Sequence, residues 1–324
     1  MKAIHFYQPG PPEVLKVVDC KLPEINSEQI LVKVKYAGVN RPDITQRKGN
    51  YPAPPGHSKI LGLEVSGVIE KVGAKVKKFK KNDEVASLVN GGGYSEYCVA
   101  EQDTTFKVPK YMSLQNAASI PECYFTAWSN LVTRGELKKK QKVLVHGGTS
   151  GVGIAAIQIL KLFDAKILTT VGNEEKKGFC KDLGVNYVFN YKKEDFFDEI
   201  KKLDLKGLDI ILDFVGGEYI NKNINLLGND GKLINIGFQK GANVNLNLMK
   251  VMLKRLTITG STLRIRKTSF KGKILRDLQK HLFPNFKNGE IDFYIDSVFK
   301  FSDAIKAHKR LDEGKHIGKV ILKL

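Results

Sequence analysis

The stretch KVLVHGGTSGVGIAAIQ, Lys142 to Gln158, restricts the possible folds more than any other part of the chain. An apolar run, Val143–Val145, meets a Gly-rich turn, and the turn meets small residues that open a helix. Gly151-Val152-Gly153-Ile154-Ala155-Ala156 fits G-x-G-x-x-A between a predicted strand and a predicted helix, the context in which that pattern marks a dinucleotide cradle. On this reading Gly151 makes the tight turn, Gly153 clears space for a pyrophosphate, and Ala156 lets the helix lie close to the sheet. The helix start offers unpaired N–H groups and partial positive charge to phosphates, and Thr149 and Ser150 add hydroxyl donors.

The rhythm around this loop extends the argument. Before about Cys123 the chain alternates short β patterns with turns: Ile30–Val39, Gly62–Gly73 and Gly91–Ala100 all read as strands, after a first strand in MKAIHFYQPG. From there on, strands and helices alternate. VLVHGG, AKILTTV, YVFNY, LDIILDFVGG and GKLINIGF are predicted strands; GVGIAAIQILKLF, NEEKKGFCKDLG and KEDFFDEIKKL are predicted helices. That alternation predicts an α/β fold with a doubly wound parallel sheet of the Rossmann type. SFKGKILRDLQKHLFPNFKNG reads as one further helix, YIDSVFKF as a strand, SDAIKAHKRLDEG as a helix opened by Ser302, and GKVILKL as the terminal strand.

The second strand of the alternating region identifies the dinucleotide. An NAD site places an Asp or Glu at the end of that strand to hold the ribose 2′-hydroxyl. Here the strand ends TTVGN, with Gly172 and Asn173 in that place. Lys176 follows one turn later and Tyr191 lies after the next strand, so a cation and a hydroxyl stand where a 2′-phosphate would be. The reading is NADPH. Glu174 and Glu175 would oppose it if they pointed inward; as first-turn acids they also suit the helix dipole.

Bulk properties set the class. The 324 residues, 42% hydrophobic and 27% charged, suffice for two domains with their own cores. No apolar run approaches the roughly 20 residues that span a bilayer. The amino terminus carries no leader pattern, so the cytoplasm is the expected compartment. Cys20, Cys98, Cys123 and Cys180 form no C-x-x-C pair and no cluster of zinc spacing, and read as reduced thiols. The formal charge of +19 is scattered through KVKKFKKND, ELKKKQK and NEEKKGF without interleaved aromatics, and is the one local argument for an RNA- or DNA-binding role.

AGVNRPDITQRKGNYPAPPG, ILGLEVSG, IPECYFTAWSNL, HGGTSGVG and FNYKKEDF together resemble the medium-chain dehydrogenase/reductase superfamily. The chain is similar, end to end, to its zeta-crystallin-like NADPH:quinone oxidoreductases, with the tumour-suppressor-induced branch nearest in pattern. The resemblance implies a mainly β, GroES-like catalytic domain built from residues 1–122 and 263–324, with a Rossmann domain at 123–262 inserted between them. It implies a quinone in the cleft between the domains and a homodimer formed through the edge strand in RLTITGSTLR, Arg255–Arg264.

Zinc members of the superfamily carry ligands where this chain has Asn40, Leu63 and Glu122, so the resemblance implies a metal-free enzyme. Glu64 is then a structural residue. A quinone suits such a site, because an easily reduced acceptor takes hydride without a strong electrophile. Tyr51 matches the position near the quinone and would protonate it, or else packs in its Pro-rich loop. Asn40 matches an Asn beside the nicotinamide, or else is a turn Asn bonding its own backbone. Asp43 reads as a cap.

Thr126 is carried over as a nicotinamide neighbour, and Ser150 as part of the SGVG loop. Phe214, Val215, Gly216, Gly237, Phe238, Leu263 and Arg264 are carried over as cofactor-wall positions, with core packing the alternative for Phe238. Lys319 lies where the carboxy-terminal segment returns to the cleft, an exposed lysine being the alternative. The acceptor stays open between a quinone and an enal, enone or enoyl thioester.

Overall fold

A computed structural model describes residues 1–324. Strands β1 (Lys2–His5) and β2 (Lys16–Asp19) pair as a small antiparallel ribbon. The alternating apolar run at 29–39 becomes β3 (Gln29–Val39), the longest strand, followed by β4 (Glu64–Val72), β5 (Glu84–Leu88), β6 (Tyr97–Glu101) and β7 (Thr105–Lys107). The next six strands, β8 (Lys142–His146), β9 (Lys166–Val171), β10 (Tyr187–Asn190), β11 (Leu208–Asp213), β12 (Leu227–Asn235) and β13 (Thr257–Gly260), are separated mainly by helices. The chain closes with β14 (Ile295–Lys300) and β15 (Lys319–Lys323).

Two compact units result, one of residues 1–125 with 263–324 and one of residues 126–262. In the first, β15 pairs antiparallel with β3 and parallel with β14, so the last strand of the sequence completes a sheet begun near its start. The sheet order is β14-β15-β3-β4-β5-β7, with β6 also on β3. Its core gathers Ile30, Val32, Val65, Ile69 and Val85 with Val320 and Leu322.

The second unit is a wholly parallel six-stranded sheet in the order β10-β9-β8-β11-β12-β13. That is the doubly wound dinucleotide-binding order, and its direction reverses between β8 and β11, where such sheets open a crevice at their carboxyl ends. Its central strands β8, β9 and β11 are buried on both faces, as parallel strands covered by helices must be, whereas the edge strand β13 is largely exposed.

Four local expectations are corrected. In Gly91–Ala100 the strand begins only at Tyr97, because Gly91 (φ +144) and Gly92 (φ +88) hold a turn closed to side chains. The strand predicted in GKLINIGF starts earlier, at Leu227, and ends at Asn235. The helix after 268 is two helices, Thr268–His281 and Phe283–Lys287, divided at Leu282; Pro284 lacks an N–H and takes its place in the first turn of the second. Ser302 does not cap the next helix: it lies in a 3₁₀ turn, Phe301–Asp303, and the α-helix begins at Ala304.

A buried carboxylate organises the crevice end of the parallel sheet. Asp213, the last residue of β11 and fully buried, accepts N–H from Val215 (2.6 Å) and Gly216, and from the side chains of Asn223 and Asn235 (both 3.2 Å). Asn223 in turn meets the buried His146 at the end of β8 (2.9 Å), and His146 meets Thr170 on β9 (3.1 Å). Four strand ends are thus tied through one acid. Asp213→Ala would orphan several buried donors, and is expected to cost about 3–5 kcal/mol in urea denaturation; a loss below about 1 kcal/mol would show the network to be dispensable.

Candidate active site

In the Rossmann unit the Gly-rich loop runs from the end of β8 into helix Gly151–Leu162. The tight turn is made by Gly147 (φ +66), not by Gly151, which is already in the helix. A Cβ on Gly147 would stand 2.4 Å from the Phe214 ring, so the loop after β8 and the loop after β11 touch at the switch point. Gly153 is needed for an internal reason: its Cβ would lie 2.3 Å from the Gly147 carbonyl oxygen. Ala156 is fully buried under the helix, as its small size implied.

Ser150 caps the helix. Its Oγ accepts from the Gly153 N–H (3.0 Å) and donates to the Gly147 carbonyl (2.9 Å), so its hydroxyl is committed within the loop rather than offered outward. Its carbonyl takes the Ile154 N–H. The N–H groups of Gly151 and Val152 are left for an external acceptor, which is what a pyrophosphate requires of such a cradle. Thr149 is buried beside them. Thr126 is half-buried, and its carbonyl receives the Ser129 hydroxyl and the Asn130 amide.

The end of β9 gathers the residues read for a 2′-phosphate. A Cβ on Gly172 would lie 2.7 Å from the Tyr191 hydroxyl, so Tyr191 closes over Gly172 while its ring stays 46% exposed. Asn173 caps helix Glu174–Asp182 by accepting the Lys176 N–H (2.8 Å), and Lys176 is buried one turn in. Glu174 and Glu175 are exposed, and Glu174 accepts from Asn190 (2.6 Å), which turns it toward β10.

Val215 and Gly216 (φ +68) follow β11, with Gly237 and Phe238 after β12. A Cβ on Gly216 would meet Phe238 at 2.8 Å, and one on Gly237 would meet Phe214 at 3.3 Å, so these four residues form one wall. Phe238 is 49% exposed, which removes the core-packing alternative.

In the other unit, four residues singled out in the sequence meet, though not as expected. Glu64 on β4 is fully buried and accepts from the Lys319 ammonium, from the Asn40 amide (2.9 Å) and from the Glu122 N–H (2.8 Å). Lys319 also donates to Asn40 Oδ1 (2.6 Å). Lys319 is therefore neither exposed nor free for a ligand. Burial penalises its charge, but Cys123 and Glu64 beside it outweigh that penalty and raise its pKa.

Asn40 is held at both ends of its amide. Its N–H groups go to Glu64 and, at 3.4 Å, to the Gly38 carbonyl. Neither a free amide for a ligand nor a simple turn Asn describes it. Asn40 also caps helix Arg41–Arg47, with Asp43 answering its backbone N–H (2.8 Å) and that of Gly62 (2.9 Å). Asp43 is the cap its position implied, and burial pushes its pKa up to about 6. Leu63 is buried apolar, and no three His, Cys, Asp or Glu side chains converge as a metal-binding group.

Tyr51 is half-buried with no hydrogen-bond partner on its hydroxyl. The Arg264 guanidinium lies 5.5 Å from its ring centre, and burial together with the nearby Glu122 charge raises its phenol pKa. Arg264 itself is spent locally. It donates to the Asn90 carbonyl (2.7 and 2.9 Å) and to Gln46 (2.8 Å), so it props Tyr51 rather than offering a free charge. Leu263 beside it is buried.

Burial, reinforced by Glu64, pushes Glu122 up to about 8, while burial pushes the Cys123 thiol up to about 12 and leaves it unreactive. Sequence reasoning missed the role of Glu122 as a neutral acid and the whole of Lys271. Lys271 meets Asn90 across 181 residues, a separation no local pattern signals.

Comparisons with known proteins agree with this two-part build. The alcohol dehydrogenase GroES-like domain matches residues 26–110 and the zinc-binding dehydrogenase family matches residues 151–279. The human quinone oxidoreductase is 34% identical over the whole chain and 98% of its own length. The Escherichia coli quinone oxidoreductase complexed with NADPH superposes with a TM-score of 0.89, at 28% identity and full coverage of both chains. The CurK enoyl reductase gives 0.88 at 25% identity, covering 99% of this chain and 98% of its own.

The protonation of Glu122 has a measurable consequence. The folded chain keeps a proton that an unfolded Glu122 releases above about 4.5, so this group's contribution to stability declines as pH rises from there toward about 8. Glu122→Gln is expected to flatten the pH dependence of urea stability in that window by up to about 1.4 kcal/mol per pH unit. Equal slopes in wild type and variant would mean that Glu122 is ionised in the fold.

Proposed function

The chain belongs to the medium-chain dehydrogenase/reductase superfamily, and we propose that within it this protein is an NADPH-dependent, metal-free reductase whose acceptor is a quinone. The observation that carries the reading is the arrangement around Tyr51. An ammonium, Lys319, already occupies the acceptor groups of Asn40 and Glu64, and Tyr51 presents a hydroxyl with no partner in the fold.

The residues fit the cofactor. The Gly151 and Val152 N–H groups would hold its pyrophosphate, and Gly172, Lys176 and Tyr191 its 2′-phosphate, with no acid at the end of β9 to prefer a free 2′-hydroxyl. Phe214, Val215, Gly216, Gly237 and Phe238 would wall the nicotinamide half, and Thr126 would lie beside it. NADPH supplies the hydride when bound. Tyr51 orients the acceptor oxygen and gives it a proton; its raised pKa keeps that proton in place at neutral pH. Arg264 holds the Tyr51 ring from one side. Lys319 and Glu64 keep Asn40, and hence the start of helix Arg41–Arg47, in position.

A quinone needs no Lewis acid at its carbonyl, which suits a site whose three metal-type positions hold a saturated Asn40, an apolar Leu63 and a largely protonated Glu122. Similarity to an enoyl reductase favours a second acceptor class, activated alkenes, on the same machinery. No helix is long and apolar enough to cross a membrane; a cytoplasmic location is part of the proposal. The nucleic-acid reading rests on charge alone; binding that weakens steeply with salt and ignores NADPH would support it.

The deciding experiment is NADPH oxidation across 1,2- and 1,4-quinones, alkenals and enoyl-CoA, with NADH in parallel. Turnover of alkenals without quinones would overturn the quinone assignment, and equal use of NADH would overturn the 2′-phosphate argument. Tyr51→Phe is expected to lower kcat by about 10- to 100-fold with the best quinone; an unchanged kcat reduces Tyr51 to packing.

We further propose a homodimer joined along β13. This strand is the sheet edge, Ile258 on it is 40% exposed, and Leu248, Met249, Met252 and Leu253 of helix Leu248–Leu253 are each more than half exposed nearby in sequence. Ile258→Asp is expected to shift sedimentation from dimer to monomer; a wild-type monomer would refute the dimer.

A further inference from the structure

Apart from the residues assigned above, the catalytic unit holds a cavity of about 210 Å³ lined by His57, Asn90, Glu101, Thr104, Thr268 and Lys271 among others. Lys271, on helix Thr268–His281, is 97% buried yet forms part of this wall. Its Nζ donates to Asn90 Oδ1 (2.6 Å) and to the Arg264 carbonyl (2.8 Å), and to no other protein group. These acceptors take two of its N–H groups, and the remaining position on nitrogen, an N–H in the ammonium or a lone pair in the amine, is left for the cavity. No carboxylate lies within ion-pair distance of it, unlike Lys319.

We propose that Lys271 is a nucleophilic amine that condenses with small aldehydes entering this cavity. The amine nitrogen adds to the carbonyl carbon, one amine hydrogen and one proton from solvent go to the oxygen, the C–O bond breaks, and the oxygen leaves as water. The protonated imine that results keeps one N–H for Asn90 or Arg264. No oxidant or reductant is consumed. A cavity of this volume suits a short-chain aldehyde, and the Thr104 and Thr268 hydroxyls and the Asn90 amide in its wall, beside the Glu24 and Glu101 carboxylates, suit the carbinolamine on the way.

Burial, rather than the surrounding charges, favours the neutral amine. Burial lowers the Lys271 pKa to about 8; Glu122 is the next largest influence and opposes this, Arg264 adds to the lowering, and Glu101 opposes it. His57 lines the same cavity and is itself held below its ordinary value, by burial first and then by Lys271 and Arg264; Glu24 completes the charged lining. Because Lys271 bonds the backbone of Arg264, whose guanidinium faces Tyr51, an adduct here would be felt at the proposed acceptor site.

The test is reductive trapping. The full-length protein is incubated with acetaldehyde and cyanoborohydride from pH 6 to 10, and ethylation of each lysine is measured by peptide mass spectrometry. Lys271 should be labelled at least ~10-fold faster at pH 7–8 than exposed lysines such as Lys21 and Lys315, its rate levelling near its own pKa. Labelling no faster than those, or only after urea unfolding, overturns the proposal. Asn90→Asp, checked for folding by its melting temperature, puts a carboxylate against Nζ and should slow labelling by about 10-fold; a folded variant labelled at the wild-type rate also overturns it. None of these readouts depends on reductase activity, so the proposal and the quinone assignment fail separately.

Discussion

A carboxylate with no access to water must be neutralised or paired, and Glu64 is the point where this chain meets that demand. It sits on β4 and its cation comes from β15, 255 residues later. Removing one member of such a buried pair typically costs about 3–5 kcal/mol, because the other charge is left stranded. The pair therefore fixes the register of the last strand against the first sheet. Through Asn40 it also fixes the start of the helix that leads to Tyr51. The same charge economy keeps a proton on Glu122: a second carboxylate beside Glu64 has no second ammonium to meet.

The Rossmann unit is built around the complementary problem, donors that need acceptors. At the switch point the ends of β8, β9, β11 and β12 all converge on Asp213, His146 and Thr170, and the Gly-rich loop rests on this platform through Gly147. The loop's own needs are met internally by Ser150. What remains unanswered, the N–H groups of Gly151 and Val152, is aimed at whatever anion the unit binds. Preorganisation of this kind lets a phosphate bind without reordering the loop.

Much of this was legible before any coordinates. The strand–loop–helix of Lys142–Leu162, the alternation after it, and the lack of an acid after β9 follow from period and local chemistry, which act over a few residues. Errors clustered where backbone geometry depends on distant neighbours. Gly151 was read as the turn, but Gly147 takes it, since Phe214 from another strand fills the space. Ser302 was read as a cap, but a 3₁₀ turn intervenes. Residue type points to Ser150, Asn40, Lys319 and Arg264 as ligand groups, but each has its polar atoms engaged by the protein itself.

The sequence alone determined the layout: an α/β sheet unit with a phosphate cradle, a mainly β partner made from both ends, and the chemistry absent from Asn40, Leu63 and the end of β9. Local propensity and residue type suffice for the sheet unit, its cradle and the missing acid, whereas the partner made from both ends and the zinc-type positions are what the family resemblance implies. Only the tertiary structure decided which polar groups are free. Whether Lys319 is a ligand or a counter-ion, whether Glu122 carries its proton, whether Tyr51 has a partner and whether Lys271 is an amine or an ammonium all depend on burial and on partners brought together across the chain. Those two factors set the free energy of a charge, and neither is written in the residues adjacent to it.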